Sequence, residues 1–202
     1  MKAPEQRIGL YGGAFDPPHL AHEALAQAAV KQFALDELVI LPTGYAWHKS
    51  RSLTAATHRI AMTQLAFADV PQARVDDREI LRSGATYTID TLNEIQAENP
   101  QAELFLLMGQ DQLAFFPQWH KYQEILQIAT LLVALRADFI PASSPNGSQN
   151  RVKMEFSTIH MPASPISATQ IRQFCTQHQA IDHLVKPSVA RYIAQHRLYL
   201  PS

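Results

Sequence analysis

Ile8-Gly9-Leu10-Tyr11-Gly12-Gly13-Ala14-Phe15-Asp16-Pro17-Pro18-His19-Leu20-Ala21-His22 is the stretch that decides how this chain is read. The apolar run Ile8 to Tyr11 predicts a buried strand, and apolar residues three and four apart from Ala21 to Phe33 predict a helix. Between them lies a glycine pair. Paired glycines let a backbone approach a ligand without side chains in the way and can turn N–H groups toward phosphate. His19 and His22 stand three apart at the helix start, so both rings project from one face near the partial positive end of the helix dipole. Two imidazole donors there suit the charge that develops on a transferring phosphoryl group and on departing pyrophosphate. Each piece has a plainer reading. Gly-Gly followed by Pro-Pro is by itself a loop, and two histidines at this spacing are often surface residues or half of a metal site. A zinc site needs third and fourth ligands, which the motif does not supply. Neither G-x-G-x-x-G nor a Walker sequence ending in Gly-Lys-Ser or Gly-Lys-Thr occurs, which moves dehydrogenases and P-loop kinases down the order.

Moving outward, short Ile, Leu and Val runs alternate with helical spacing along the rest of the chain. Further strands are expected at Leu38–Leu41, Arg74–Asp76, Leu104–Met108, Leu131–Leu135 and Thr158–Met161, with helices at Ala55–Phe67, Thr88–Glu98, Tyr122–Ile128, Ile166–His178 and Val189–His196. The pattern predicts an α/β fold, a Rossmann-like parallel sheet with helices on both faces, in which ligands bind beyond the carboxyl ends of the strands. With 202 residues, one domain over 1–202 is expected, its C-terminal part helical from about residue 165. The Pro, Ser, Asn and Gly cluster from Ala137 to Arg151 reads as a surface excursion.

Composition narrows the function classes. The formal net charge is -1, so no overall basic field is available to hold a nucleic acid. Cys175 is the single cysteine, which excludes a disulfide framework and a thiolate zinc cluster. No apolar run reaches the roughly 20 residues of a membrane span, and Met1 to Arg7 lacks the apolar core of a signal peptide. A cytoplasmic protein, without a membrane or nucleic-acid partner, is the expectation.

A second constellation opens the helix near the C-terminus with Pro165, Ile166, Ser167, Ala168, Thr169, Gln170, Ile171 and Arg172. Ser167 and Gln170 have capping-box spacing, which accounts for both as structural residues. Hydroxyls and free N–H groups at a helix start also suit phosphate, and Arg172 one turn later adds a fixed charge.

Gly13, Phe15, Pro17, His19 and His22 resemble the G-x-F-x-P-x-H-x-x-H signature of the nucleotidyltransferase superfamily related to class I aminoacyl-tRNA synthetases. Ile166 to Arg172 is similar to the I-S-x-T-x-I-R motif with which that superfamily holds ATP phosphates. Across nearly the whole chain the resemblance is to the bacterial nicotinate-mononucleotide adenylyltransferases, which make deamido-NAD from ATP and nicotinate mononucleotide. The loop ending in His48 and Lys49 is similar to that family's P-P-H-K loop, and the resemblance gives Lys49 a phosphate contact. Thr86-Tyr87-Thr88-Ile89-Asp90-Thr91-Leu92 is similar to S-Y-T-x-x-T-L, where a helix start lies beside the nicotinate ring. Backbone N–H groups there favour a carboxylate over an amide, although Thr88 as a plain N-cap fits the spacing equally. Gly109 to Asp111, followed by Phe116 to His120, resembles the family's G-x-D and F-x-x-W features. Trp119 is implied to stack on the pyridine ring and Asp111 to meet a ribose or the metal, while Phe116 and Trp119 at this spacing also suit a core. The closing helix and the Leu198-Tyr199 ending match the family and read as packing. Departures are Ala14 for threonine, Ala21 for glycine, and Ala46 and Trp47 for the proline pair.

The resemblance implies an enzyme in which the acceptor's phosphate oxygen attacks the α-phosphorus of ATP, with Mg²⁺ bound through the ATP phosphates rather than by a protein cage. His19, His22, Lys49 and Arg172 form the implied catalytic set. The ATP side comprises Gly12, Gly13, Ala14, Phe15, His19, His22, Gly109, Asp111, Ile166, Ser167, Thr169 and Arg172, and the acceptor side Lys49, Thr86, Tyr87, Thr88, Trp119 and His120. Whether the histidines act neutral or charged is open at this level, and a homo-oligomer is compatible with the sequence. The rival readings are a related adenylyltransferase for nicotinamide mononucleotide or phosphopantetheine, a non-catalytic nucleotide-binding regulator, and a nucleic-acid module.

Overall fold

The computed structural model describes residues 6–44, 53–135 and 154–201. Six parallel strands form one sheet: β1 (Arg7–Gly13), β2 (Glu37–Pro42), β3 (Ala73–Val75), β4 (Glu103–Gly109), β5 (Ala129–Ala134) and β6 (Phe156–Ile159), in the order β3-β2-β1-β4-β5-β6. Strand order reverses between β1 and β4, which makes the crevice beyond their carboxyl ends the topological switch point of a Rossmann-like sheet.

The strands read as unbroken apolar runs because both sheet faces are covered. Leu38 and Ile40 of β2 belong to one hydrophobic cluster, which takes in Leu25, Ala26 and Ala29 of α1 (Leu20–Phe33), Met62 and Ala66 of α2 (Ala56–Phe67), Ile171 of α7 (Ala168–Thr176) and Val189 and Ile193 of α8 (Pro187–Gln195). Val39 and Leu41 alternate onto the other face, with Leu92 and Ile95 of α4 (Thr88–Glu98) and Ile125 of α6 (Tyr122–Ile128). The predicted sheet and its six helices are therefore present, with bounds displaced by a few residues.

Two short helices escaped the periodicity argument. Helix α3 (Arg78–Leu81) is one turn, and α5 (Gln110–Phe115) leads directly from β4 into a 3₁₀ turn at Phe116–Gln118. Neither is long enough to show a repeat. The last strand ends at Ile159 rather than Met161. There the side chain of Gln32 takes over both backbone groups of His160, at 2.9 Å to its N–H and 2.6 Å to its carbonyl. The segment 137–151, expected as a surface excursion, and Ala46, Trp47, His48 and Lys49 lie outside the described residues. No helix among the described residues is long and apolar enough to cross a membrane.

Candidate active site

The turn after β1 is built for close approach. A side chain at Gly12 would point into open space, whereas one at Gly13 would press on the Phe15 ring at 3.0 Å. Phe15 is buried and carries a left-handed backbone, φ 45°, a strained conformation for a residue with a side chain. Edge-to-face contacts with Tyr11 at 5.6 Å and Phe67 at 5.7 Å hold it there. Asp16 is next, only 2% exposed, with Oδ1 accepting from the Tyr199 hydroxyl at 2.6 Å and Oδ2 from the Thr54 N–H at 3.2 Å.

His19 follows two prolines and is the N-cap residue of α1, so the predicted helix start is where both histidines meet. Their rings stack at 3.7 Å, 25° apart, and the backbone N–H of His19 donates to Nδ1 of His22 at 3.2 Å. An accepting Nδ1 leaves Nε2 of His22 to carry the proton. Burial lowers the pKa of His19 to about 4, and its Nδ1 has no hydrogen-bond partner among the described residues. At neutral pH His19 is thus uncharged, a point the sequence left open.

Helix α7 approaches the same turn. The Ser167 side chain accepts from the Gln170 N–H at 3.2 Å, so the capping reading of this serine holds. Ile166, just before it, packs on the core cluster that contains Ile171. Arg172 donates through Nη1 to the Asp16 carbonyl at 2.8 Å and through Nη2 to Thr169 Oγ1 at 3.0 Å. The C-terminal arginine and the N-terminal histidine turn are thereby joined directly. Beneath them Arg59 of α2, 3% exposed, donates to the carbonyls of Ala14 and Thr43 through Nη1 and of Thr54 through Nε, at 2.8 to 3.0 Å. Ala14 contributes its carbonyl here, so the missing threonine side chain does not disturb this anchor.

Across the switch point, Gly109 ends β4 and is the N-cap residue of α5, again with open space where a side chain would point. Asp111 is exposed in the first turn of that helix. Tyr87 and His120 come together with ring centroids 4.3 Å apart. Trp119, adjacent to His120, is half-buried and lies 5.3 Å from Phe116, so its ring packs on the core while part of it stays accessible. Tyr87, not Thr88, is the N-cap residue of α4, and no side chain caps that helix start. The Thr88 N-cap alternative is accordingly corrected: Thr88 is already inside the helix. Thr86 Oγ1 donates to the carbonyl of Glu79 at 3.3 Å, and a side chain at Gly44 would collide with that same carbonyl at 2.0 Å.

The same arrangement of sheet and helices is found in known proteins. A cytidylyltransferase-like family model matches residues 10–174. A chain from Albidiferax ferrireducens named "Probable nicotinate-nucleotide adenylyltransferase" is 50% identical, with 96% of this chain and 98% of that one covered. One of the same name from Methylibium petroleiphilum is 42% identical, with 98% and 95% covered. The chain belongs to the nicotinate-nucleotide adenylyltransferase family. The Plasmodium falciparum nicotinic acid mononucleotide adenylyltransferase, solved in complex with NaAD, superposes with a TM-score of 0.77 at 20% identity over 96% of this chain and 98% of that one. At that identity the likeness concerns the fold.

In this nicotinate-nucleotide adenylyltransferase family member, three residues that local pattern did not reveal contact the segments of the candidate site: Asp16, Arg59 and Glu79. Glu79 of α3 is buried, and burial raises its pKa to about 7. Its Oε1 accepts from Thr91 Oγ1 at 3.0 Å, which also accepts from Arg82 at 3.2 Å. No group of three or more His, Cys, Asp or Glu side chains placed to hold a metal occurs among the described residues.

Proposed function

We propose that this chain transfers the adenylyl group of ATP to nicotinate mononucleotide, giving deamido-NAD and pyrophosphate. The observation that carries the reading is the stacked pair of imidazoles at the start of α1, facing the β1/β4 switch point, with Arg172 fixed to the Asp16 carbonyl of the same turn.

The phosphate oxygen of the acceptor attacks the α-phosphorus in line, and the bond to the bridging oxygen of pyrophosphate breaks. No covalent enzyme intermediate is needed, because positioning and charge neutralisation supply most of the rate. His19 and His22 donate to the α-phosphate, where a neutral donor strengthens its hydrogen bond as negative charge accumulates. Arg172 and Lys49 neutralise the β and γ phosphates, helped by Ser167, Thr169 and the free N–H groups that open α7, with Ile166 placing that segment. The Gly12, Gly13, Ala14 and Phe15 backbone borders the nucleotide, and Gly109 and Asp111 border its ribose. On the other side the uncapped start of α4, from Thr86 through Tyr87 to Thr88, receives the nicotinate carboxylate, with Trp119 and His120 against the ring.

Mg²⁺ would fit this site as a phosphate-bound ion, since its preference for substrate oxygens and water asks for no protein cage, and the exposed Asp111 would be the carboxylate available to its water shell. When bound it neutralises phosphate charge. The reading further includes one domain over residues 1–202, a cytoplasmic setting, a homo-oligomer as the form open to test by light scattering, and no nucleic-acid partner.

Pyrophosphate release from ATP and Mg²⁺ should be measured with nicotinate mononucleotide, nicotinamide mononucleotide and phosphopantetheine offered separately. A strong preference for nicotinate mononucleotide is expected. Turnover with another acceptor alone would keep adenylyl transfer and overturn the acceptor assignment, and tight ATP binding without turnover on any of the three would turn the reading toward a regulator.

A further inference from the structure

Tyr199 reads from sequence as a packing residue of the C-terminal ending, and its ring does pack against the cluster beneath α1 and α2. Its hydroxyl does something else: it donates at 2.6 Å to the buried carboxylate of Asp16. We propose that Tyr199 is a positioning residue for adenylyl transfer, acting through Asp16 on the turn that carries His19 and on the guanidinium of Arg172. This rests on the adenylyl-transfer reading above.

Asp16 is a hub with two outputs. A carboxylate this deeply buried requires donors, and it takes them from segments far away in the chain, from the Tyr199 hydroxyl and the Thr54 N–H. Its backbone carbonyl is the acceptor that orients Arg172 at 2.8 Å. Toward His19 the spacer is Pro17-Pro18, two residues whose φ angles are fixed by their rings, so a displacement at Asp16 passes on to His19 instead of being absorbed. Releasing the carboxylate from its hydroxyl donor therefore disturbs the histidine and the arginine together.

The tail is held in a special conformation to make this contact. Tyr199 adopts a left-handed backbone, φ 64°, which a residue with a side chain takes only when its surroundings impose it. The imposing contacts are present. Thr176 Oγ1 of α7 lies 3.2 Å from the Tyr199 carbonyl and 3.0 Å from the Arg172 carbonyl, which share its single proton, and the Leu198 N–H donates back to the Ile193 carbonyl at 3.0 Å. Burial and the neighbouring Asp16 charge both raise the pKa of the hydroxyl, so it stays protonated and remains a donor at any working pH.

Tyr199→Phe removes the hydroxyl and keeps the ring. Steady-state pyrophosphate release with ATP, Mg²⁺ and nicotinate mononucleotide should show kcat lowered on the order of ten- to a hundredfold, the effect of a small misplacement of reacting groups. The acceptor KM should stay within about twofold, because the acceptor side is untouched. A purely structural role would instead lower the melting temperature and the active fraction, leaving kcat per folded molecule unchanged. Wild-type kcat in folded Tyr199→Phe would overturn the proposal. If that variant does not fold, Thr176→Val, which loosens the same tail from the exposed side, decides it: a kcat loss with unchanged acceptor KM supports the proposal, and an unchanged kcat overturns it. A wild-type protein silent with every acceptor would instead remove the adenylyl-transfer reading itself.

Discussion

The two sides of the crevice between β1 and β4 are built differently. On the β1 side, Asp16, His19 and Arg59 are all less than a tenth exposed, the arginines are locked to backbone carbonyls, and the Asp16 carboxylate is held by a tyrosine hydroxyl from a distant segment. On the β4 side, Tyr87 and Trp119 are half-buried, His120 is exposed, and the contacts are ring against ring. Buried hydrogen-bonded networks have one geometry, because any other leaves polar groups unsatisfied. Aromatic contacts tolerate small shifts at little cost. On the proposed reading the reaction belongs to the first side, where sub-ångström placement matters, and the choice of acceptor to the second, where shape and stacking suffice.

The largest expected effect is that of His19→Ala. Turnover should fall about 10²- to 10³-fold, the loss seen when one preorganised donor is removed from a developing charge. Stability should fall by much less than activity, since the variant loses a buried N-cap ring stacked on His22 and no partner of its Nδ1 among the described residues. Urea titration beside steady-state kinetics checks both halves, and a stability loss that accounts for the whole activity loss would erase the distinction between the two sides.

Next comes Glu79, beneath the acceptor side. Its folded pKa of about 7 stands above the ordinary 4.5. Below the lower value the carboxyl is neutral in both states; between the two values the unfolded chain loses the proton more readily, so this group's contribution to stability falls as pH rises and then levels off. The difference reaches on the order of 3 kcal/mol. Glu79→Gln should remove that slope, becoming more stable than wild type above pH 7 relative to pH 5. Denaturation at a series of pH values tests it, and parallel wild-type and variant curves would show that the wall is not pH-sensitive.

Arg172→Lys keeps the charge but cannot bridge the Asp16 carbonyl and Thr169 with one planar group. A loss in kcat/KM for ATP of about tenfold or more is expected, with acceptor KM unchanged. Equal ATP kinetics in the lysine variant would mean that charge alone is used. The smallest effect is expected from Trp119→Ala, an acceptor KM raised about fivefold to tenfold with kcat nearly retained, in line with the worth of one aromatic contact.

The same contrast explains what the sequence could tell. Strand β1, the glycine turn and the start of α1 are continuous in the chain, so one stretch of fifteen residues carries their periodicity, their turn chemistry and both histidines. The Ser167 cap is equally local. Asp16, Arg59 and Tyr199 were not legible as a network because the bonds join residues 38, 45 and 183 positions apart. A tyrosine just past a closing helix carries no mark of the carboxylate it reaches. Helix α3 was missed for another reason. Its single turn is held by ion pairs, Arg78 with Asp76 at 2.8 Å and with Glu98 at 2.9 Å, rather than by an apolar stripe of its own. The place of Thr88 one residue inside its helix shows the ordinary limit of boundary reading, since spacing alone does not separate an N-cap from a first turn.

One experiment addresses the division of labour directly: initial rates of pyrophosphate release at saturating ATP and Mg²⁺, with nicotinate mononucleotide varied, for wild type, His19→Ala and Trp119→Ala side by side. The histidine variant should lose kcat by about two orders of magnitude or more with a nearly unchanged acceptor KM, and the tryptophan variant should show the reverse pattern. Undiminished kcat in His19→Ala would contradict the account.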